Sequence, residues 1–392
     1  MKIRKTIIHL TAALFIFTTF SISALGSTPV QEIPFEYEMA KIIVPVSING
    51  SKPIRCILDT GMVEGVFLMS PDAAKGLNLK YGSTNVMLRG AGSGSSSASM
   101  AMGAKFKLAN TSFANQRVIV LNKAGALSRY GVLGVIGASV FNKFVVQIDT
   151  EKKLLRLYEP SEFDAANAGE SLDLTLTRTK PYINASFNID GKTDVPVKLV
   201  VDSGASSSLM ISENSEKGIV PPGKSVDVFA LGVGGKMKQK SARAGKLKLG
   251  KHALDKMITQ FHEGPTPGGA DGLIGMKVLE RFLITFDYPG KRMFLKPNKT
   301  FSKPFEFSMT GIAVQPDEKG GLGISNVIEN SPAAEAGIKK GDTIISIDKQ
   351  PLDIVSYARL NENLKTPGKR ISIEIDRQGT RHMKTLILKR SL

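Results

Sequence analysis

Ile57-Leu58-Asp59-Thr60-Gly61 and Val200-Val201-Asp202-Ser203-Gly204 are one phrase written twice. Each runs an apolar, strand-like stretch into an acid, a small hydroxyl residue and a glycine. An acid at the end of a buried strand is costly unless it is solvated, paired or used. One such acid reads as a turn residue capping its own backbone. Two of them, in corresponding halves of the chain, ask for a shared explanation.

The surroundings repeat as well. Asn49-Gly50 and Asn188-Ile189-Asp190-Gly191 are hairpin turns before each acid. The glycine-rich stretch Arg89-Gly90-Ala91-Gly92-Ser93-Gly94 is answered by Leu231-Gly232-Val233-Gly234-Gly235, and Lys105–Leu108 by Lys246–Leu249. Gly134-Val135-Ile136-Gly137 is answered by Gly272-Leu273-Ile274-Gly275, and Phe144 and Asp149 by Phe282 and Asp287, all at an offset of 138. The near-constant offset marks a duplication. Short strands punctuated by glycine predict two mostly-β lobes. Residues 35–50 read as one strand region. Ser70-Pro71 reads as an N-cap and first helical position for a helix over Asp72–Leu77. The expected divisions are a signal peptide at 1–26, lobes at 27–160 and 176–300, a polar connector at 161–175, and a further domain at 305–392.

If the lobes face each other about a pseudo-two-fold axis, Asp59 and Asp202 meet at the shared cleft. Two touching carboxyls cannot both ionise cheaply, so they share a proton. The ionised member takes a proton from a water held between them, and the protonated member polarises the amide carbonyl under attack. Thr60 and Ser203 are suited to bond across the axis and lock the loops. Gly61 and Gly204 allow a tight turn behind each acid.

The chain resembles the retropepsin-like aspartic proteases over roughly residues 35–298. The resemblance is carried by the two acid triplets and by Val135-Ile136-Gly137 and Leu273-Ile274-Gly275, in that order, twice. It implies a mainly β fold of bilobal, acid-protease-like β-barrel domains, and endopeptidase activity from an Asp59/Asp202 dyad. It also implies hairpin flaps over the substrate at Arg89, Gly90, Ala91 and Gly92 and at Gly232, Val233 and Gly234. Neither a metal nor a cofactor is called for. One position departs from the family: Ala205 follows the second triplet, as is usual there, but Met62 follows the first. That departure motivates an alternative, a peptide-binding pseudo-protease. A third reading pairs lobes between two chains.

The tail changes grammar. Ser331-Pro332-Ala333-Ala334-Glu335-Ala336-Gly337 reads as a capped short helix closed by glycine, and Gly341-Asp342 opens the strand Thr343–Ile347. A second helix fits Val355–Leu364. This part resembles an α+β PDZ domain of the kind found in bacterial envelope proteases. By that resemblance Gly311, Ile312, Ala313 and Val314 form a carboxylate-binding loop and edge strand, which would take a protein C-terminus as an added strand.

Composition agrees with a globular protein: 392 residues, 42% hydrophobic and 22% charged. The formal net charge of +17 is spread without basic blocks and there is no Trp, which argues against a nucleic-acid groove. Lys2, Arg4 and Lys5, the apolar run Ile7–Ala24 and the small residues at Ala24-Leu25-Gly26 read as an export signal. The expected location is therefore periplasmic or secreted, with membrane proximity if the segment is retained. The single Cys56 forms no internal disulfide and reads as a buried thiol. Residues Gly218–Ser225 match a phosphate-loop pattern letter for letter. A polar stretch precedes them, a strand-like one follows and two prolines remove N–H donors, so that reading is rejected. Asp149 and Asp287 read as turn acids.

Overall fold

The computed structural model describes residues 27–391, apart from 64, 89–93, 125–127, 129–130, 190, 192, 233, 267, 317–320, 353–355 and 358–359. The signal-peptide expectation for 1–26 lies outside the described residues, as do Arg89, Gly90, Ala91, Gly92 and Val233 of the expected flaps.

The first lobe is one folded sheet. The region 35–50 is a hairpin rather than one strand: Glu36–Glu38 and Lys41–Ile48 pair antiparallel. Met39 and Ala40 turn between them with φ of 52° and 53°, the left-handed pair that two-residue hairpins use. Lys41–Ile48 pairs with Ile54–Leu58, which runs parallel to Gly134–Ile136 beyond it. Val66–Leu68 completes the acid-bearing core, antiparallel to Gly134–Ile136 and parallel to Thr111–Leu121. Lys80–Leu88 and Ser96–Leu108 pair as a hairpin at the edge of this sheet. Ser70 caps a helix over Pro71–Ala74, accepting from the Ala73 N–H, and the helix stops three residues short of the expected end.

The second lobe repeats the plan. Lys180–Asn188 pairs with Val195–Val201, which is parallel to Gly272–Ile274. Leu209–Ser212 is antiparallel to Gly272–Ile274 and parallel to Ile258–His262. Val226–Gly232 and Gly235–Arg243 form the second glycine-tipped hairpin. A strand therefore follows the rejected phosphate-loop stretch, as that rejection expected.

A six-stranded antiparallel sheet joins the lobes. Val145–Asp149 of the first pairs with Phe282–Asp287 of the second, Ile148 across from Ile284. Gln147 donates to Thr285 Oγ1 inside it. The stretch expected as a connector supplies a strand here too, Glu170–Asp173 against Arg292–Pro297. One continuous apolar cluster runs from Ile42 and Leu58 through Phe141 and Phe286 to Val201 and Ile274. Cys56 is buried within it, and burial raises its thiol pKa. Asp149 and Asp287 are turn acids: their side chains accept from the N–H groups of Lys152 and Gly290.

The tail has its own core around Leu322, Ile344, Ile373 and Leu386. Ser331 caps the helix Pro332–Glu335, and Gly337 closes it at φ 71°. Ile312–Pro316 ends this sheet as an edge strand, bulged between Ala313 and Val314. Of the helix expected over Val355–Leu364, only part is described, and Asn361–Lys365 is a 3-10 turn.

Polar side chains hold the tail to the second lobe. Arg281, 6% exposed, donates to the carbonyls of Thr300 and Phe301 and lies over the Phe305 ring. Glu306 bridges Arg243 of the second lobe and Arg390 near the C-terminus. Asn326 donates to the Asp227 carbonyl at the root of the second glycine hairpin.

Candidate active site

Both acids are delivered by the same local structure. The N–H of Asp59 donates to the Ile136 carbonyl and that of Asp202 to the Ile274 carbonyl, each at 2.9 Å. Each loop then turns back, Met62 N–H to Asp59 O at 3.3 Å and Ala205 N–H to Asp202 O at 3.2 Å. Each carboxylate accepts from the glycine two residues on, Gly61 N–H to Asp59 Oδ1 at 2.6 Å and Gly204 N–H to Asp202 Oδ1 at 2.8 Å. The matching bonds show that Met62 does not distort the first loop. Its side chain packs against the apolar cluster of Ile57, Phe67 and Val135.

Thr60 and Ser203 bond across the pseudo-two-fold axis. The Thr60 N–H donates to Ser203 Oγ at 3.0 Å, and the Ser203 N–H to Thr60 Oγ1 at 2.9 Å. Each hydroxyl then donates to a carbonyl on the opposite strand, Thr60 to Val201 at 2.7 Å and Ser203 to Leu58 at 2.9 Å. Both residues are essentially buried, so each hydroxyl is fully used as donor and acceptor.

The acids sit side by side, close enough for the charge of Asp202 to act on Asp59. Each lies against the other loop's glycine: a Cβ on Gly204 would stand 2.3 Å from Asp59 Cγ, and one on Gly61 3.0 Å from Asp202 Cγ. Only glycine admits that crossing. Gly137 is fixed by the same logic, since its Cβ would meet the Asp59 carbonyl at 2.2 Å. Burial first, and then the charge of Asp202, raise the Asp59 pKa, opposed by the Gly61 N–H and by Lys41. This setting favours the protonated form of the Asp59 carboxyl.

Two neighbours were not legible in the sequence as site residues. Lys41 is 8% exposed and donates its ammonium to the Gly204 carbonyl. Burial lowers its pKa, while Asp202 and Asp59 pull the other way. At the head of Lys41-Ile42-Ile43-Val44 it reads as a strand-end charge reaching for water. Only the apposition of the lobes puts it under the second acid loop. Tyr288 follows the inter-lobe strand, stacked on Phe141, and its buried hydroxyl has no hydrogen-bond partner among the described residues. Burial, then the fields of Asp59 and Asp202, push its pKa well up.

The glycine hairpins meet. The Gly94 N–H donates to the Gly234 carbonyl at 2.8 Å. Val86 and Leu88 of the first hairpin pack on the same cluster as Met62, which places that hairpin against the acid-side face of its lobe. Gly232 ends its strand beside the second tip. Gly311 lies immediately before the edge strand of the tail that holds Ile312, Ala313 and Val314.

Known proteins match this chain in two parts. The family model described as aspartyl protease matches residues 44–139 and again 185–278, and that of the PDZ domain matches 301–376. The regulator of sigma-E protease RseP of Escherichia coli is 42% identical over 65 residues, 16% of this chain and 14% of that protein. The periplasmic serine endoprotease DegP of Salmonella typhimurium is 36% identical over 67 residues, 17% of this chain and 14% of that protein. The chain therefore spans about one seventh of these relatives. Among solved structures, the aspartic proteinase from Irpex lacteus aligns with 70% of this chain and 98% of its own, at 15% identity and a TM-score of 0.44.

Proposed function

We propose that this chain, whose two lobes belong to the aspartyl protease family and whose tail is a PDZ domain, is an endopeptidase working through Asp59 and Asp202. The observation that carries the reading is the pair of carboxyls, each set against the other loop's glycine, on two loops locked by Thr60 and Ser203.

The pair enters the reaction with one proton, and Asp59 is its favoured seat because burial raises its pKa. A water held between the acids attacks the amide carbon and gives a proton to Asp202. The Asp59 proton passes to the carbonyl oxygen, leaving a neutral diol. The C–N bond then breaks: the nitrogen leaves with the proton from Asp202, and one diol hydroxyl returns its proton to Asp59. Lys41 steadies the Gly204 carbonyl and offsets the negative charge of the pair. The glycine hairpins close over the substrate and exclude water.

The tail takes a protein C-terminus along the outer edge of Ile312–Pro316, with the loop at Gly311 receiving the terminal carboxylate. The partners are peptide or protein substrates at the cleft and protein C-termini at the tail. The apolar N-terminal run exports the chain, to the periplasm or beyond.

Hydrolysis of an unstructured protein in 18O-labelled water tests the mechanism. Direct attack by water places the label in the new carboxyl terminus, with no acyl-enzyme trapped by an added amine. Transfer of the acyl group to that amine would overturn it.

A further inference from the structure

Strand registers equate positions of the two lobes across the pseudo-two-fold axis. In the first lobe Phe67 lies across from Val135 and beside Ile119. In the second, Met210 lies across from Leu273 and beside Gln260. The hairpin strands extend the match: Met100 faces Ile119 and Ala98 faces Leu121, while Ser241 faces Gln260. Gln239, two residues before Ser241, shares its side of the strand. Ile119 thus corresponds to Gln260, Leu121 to His262, Met100 to Ser241 and Ala98 to Gln239.

This is the face beside the acids. Met62 from the first acid loop packs on it in one lobe and Ala205 from the second loop in the other. In the first lobe the face is apolar throughout: Phe67, Met69, Ala98, Ile119 and Leu121 form one cluster with Ile57 and Val135. In the second it is polar at most of the matching positions. Ser212, His262 and Thr266 satisfy one another at 2.9–3.4 Å. Gln239 and Ser241 do not share in that. They are 2% and 0% exposed, the Gln239 amide N–H reaches Met210 Sδ, and neither Gln239 Oε1 nor Ser241 Oγ has a hydrogen-bond partner among the described residues.

Buried polar atoms are almost always paired, and one left unpaired calls for an explanation. We infer that the cleft is chemically two-sided. The first lobe accepts an apolar substrate side chain, and the second accepts a neutral hydrogen-bonding one, a Gln or Asn carboxamide, through Gln239 and Ser241. A charged side chain fits less well, because Asp271 at the end of this face is already held by Lys217 and a full charge buried there would lack a counterion. Gln239 and Ser241 are specificity-determining residues; the bond-breaking chemistry stays with the acids. This inference rests on the cleft being the substrate site of the proposed endopeptidase.

The test uses the chain from residue 27 onward and two kinds of probe. Peptides randomised on both sides of a cleavable bond report cleavage preference. Analogues whose scissile amide is reduced report binding by calorimetry without any need for catalysis. The wild type is expected to favour an apolar residue on one side and Gln or Asn on the other, by about tenfold or more over apolar on both. Gln239→Leu with Ser241→Ala should reverse the second preference and leave the first unchanged, and Ser241→Ala alone should weaken it. Equal use of apolar residues on both sides, by cleavage or by binding, would overturn the inference while the protease reading stands. Two-sided binding without cleavage would end the protease reading and leave this inference intact. A chain that neither cleaves nor binds the probes would overturn both.

Discussion

At the scale of single residues, the acids, the hydroxyls behind them and the glycines announce themselves in sequence because each is a local exception. A strand that ends in Asp-Thr-Gly has to explain its acid. Lys41 gives no such signal, because a lysine at a strand end is commonplace until a second lobe covers it. Its charge favours ionisation of the acids, so removing it favours their protonation. In Lys41→Met both limbs of the pH profile of kcat/KM should move to higher pH, and Lys41→Arg should move them less; an unmoved profile would take Lys41 out of the site. Linkage gives a second expectation. The raised Asp59 pKa means that the folded state binds the proton more tightly than the unfolded one. The stability this contributes is fully present below the unfolded carboxylate pKa and is lost as pH rises through the folded value. Asp59→Asn should therefore raise the melting temperature relative to wild type near pH 8, with the gain shrinking toward pH 4. Ser203→Ala removes one donor and one acceptor from a buried lattice, which costs about 1–3 kcal/mol of stability by denaturant titration.

At the scale of elements, the strands before and after each acid were legible because apolar residues run straight into turn chemistry. The first hairpin was legible only at its ends. Val86–Leu88 and Lys105–Leu108 mark the ends of a ribbon whose middle, rich in Ser, Ala and Gly, has weak strand propensity and is held by its partner. The same applies to Glu170–Asp173, a polar edge strand that reads as a linker until Arg292–Pro297 pairs with it. The meeting of the tips gives a prediction at this scale. A Cβ at position 94 would stand 3.0 Å from the Gly234 carbonyl. Gly94→Ala should thus part the tips and raise KM several-fold with little change in melting temperature. An unchanged KM would mean that the contact does not shape substrate binding.

At the scale of the whole molecule, duplication made the two lobes readable, and a change of sequence grammar near residue 305 marked the tail. How the tail docks was not readable, because Arg243, Glu306 and Arg390 are distant in sequence and each is an ordinary surface charge by itself. Glu306 neutralises both arginines at the joint. Glu306→Ala should leave them facing each other and destabilise the tail by about 1–2 kcal/mol, seen in calorimetry as an earlier transition separated from that of the lobes. The inter-lobe sheet has the larger consequence, since it brings acids 143 residues apart into one site within a single chain. Peptide cleavage by the wild type beside Asp59→Asn and Asp202→Asn, each checked for intact folding, tests that most directly. Both variants are expected to lose roughly 10²–10⁴-fold in kcat/KM. Equal cleavage by all three proteins would contradict a shared-proton pair at the centre of the molecule.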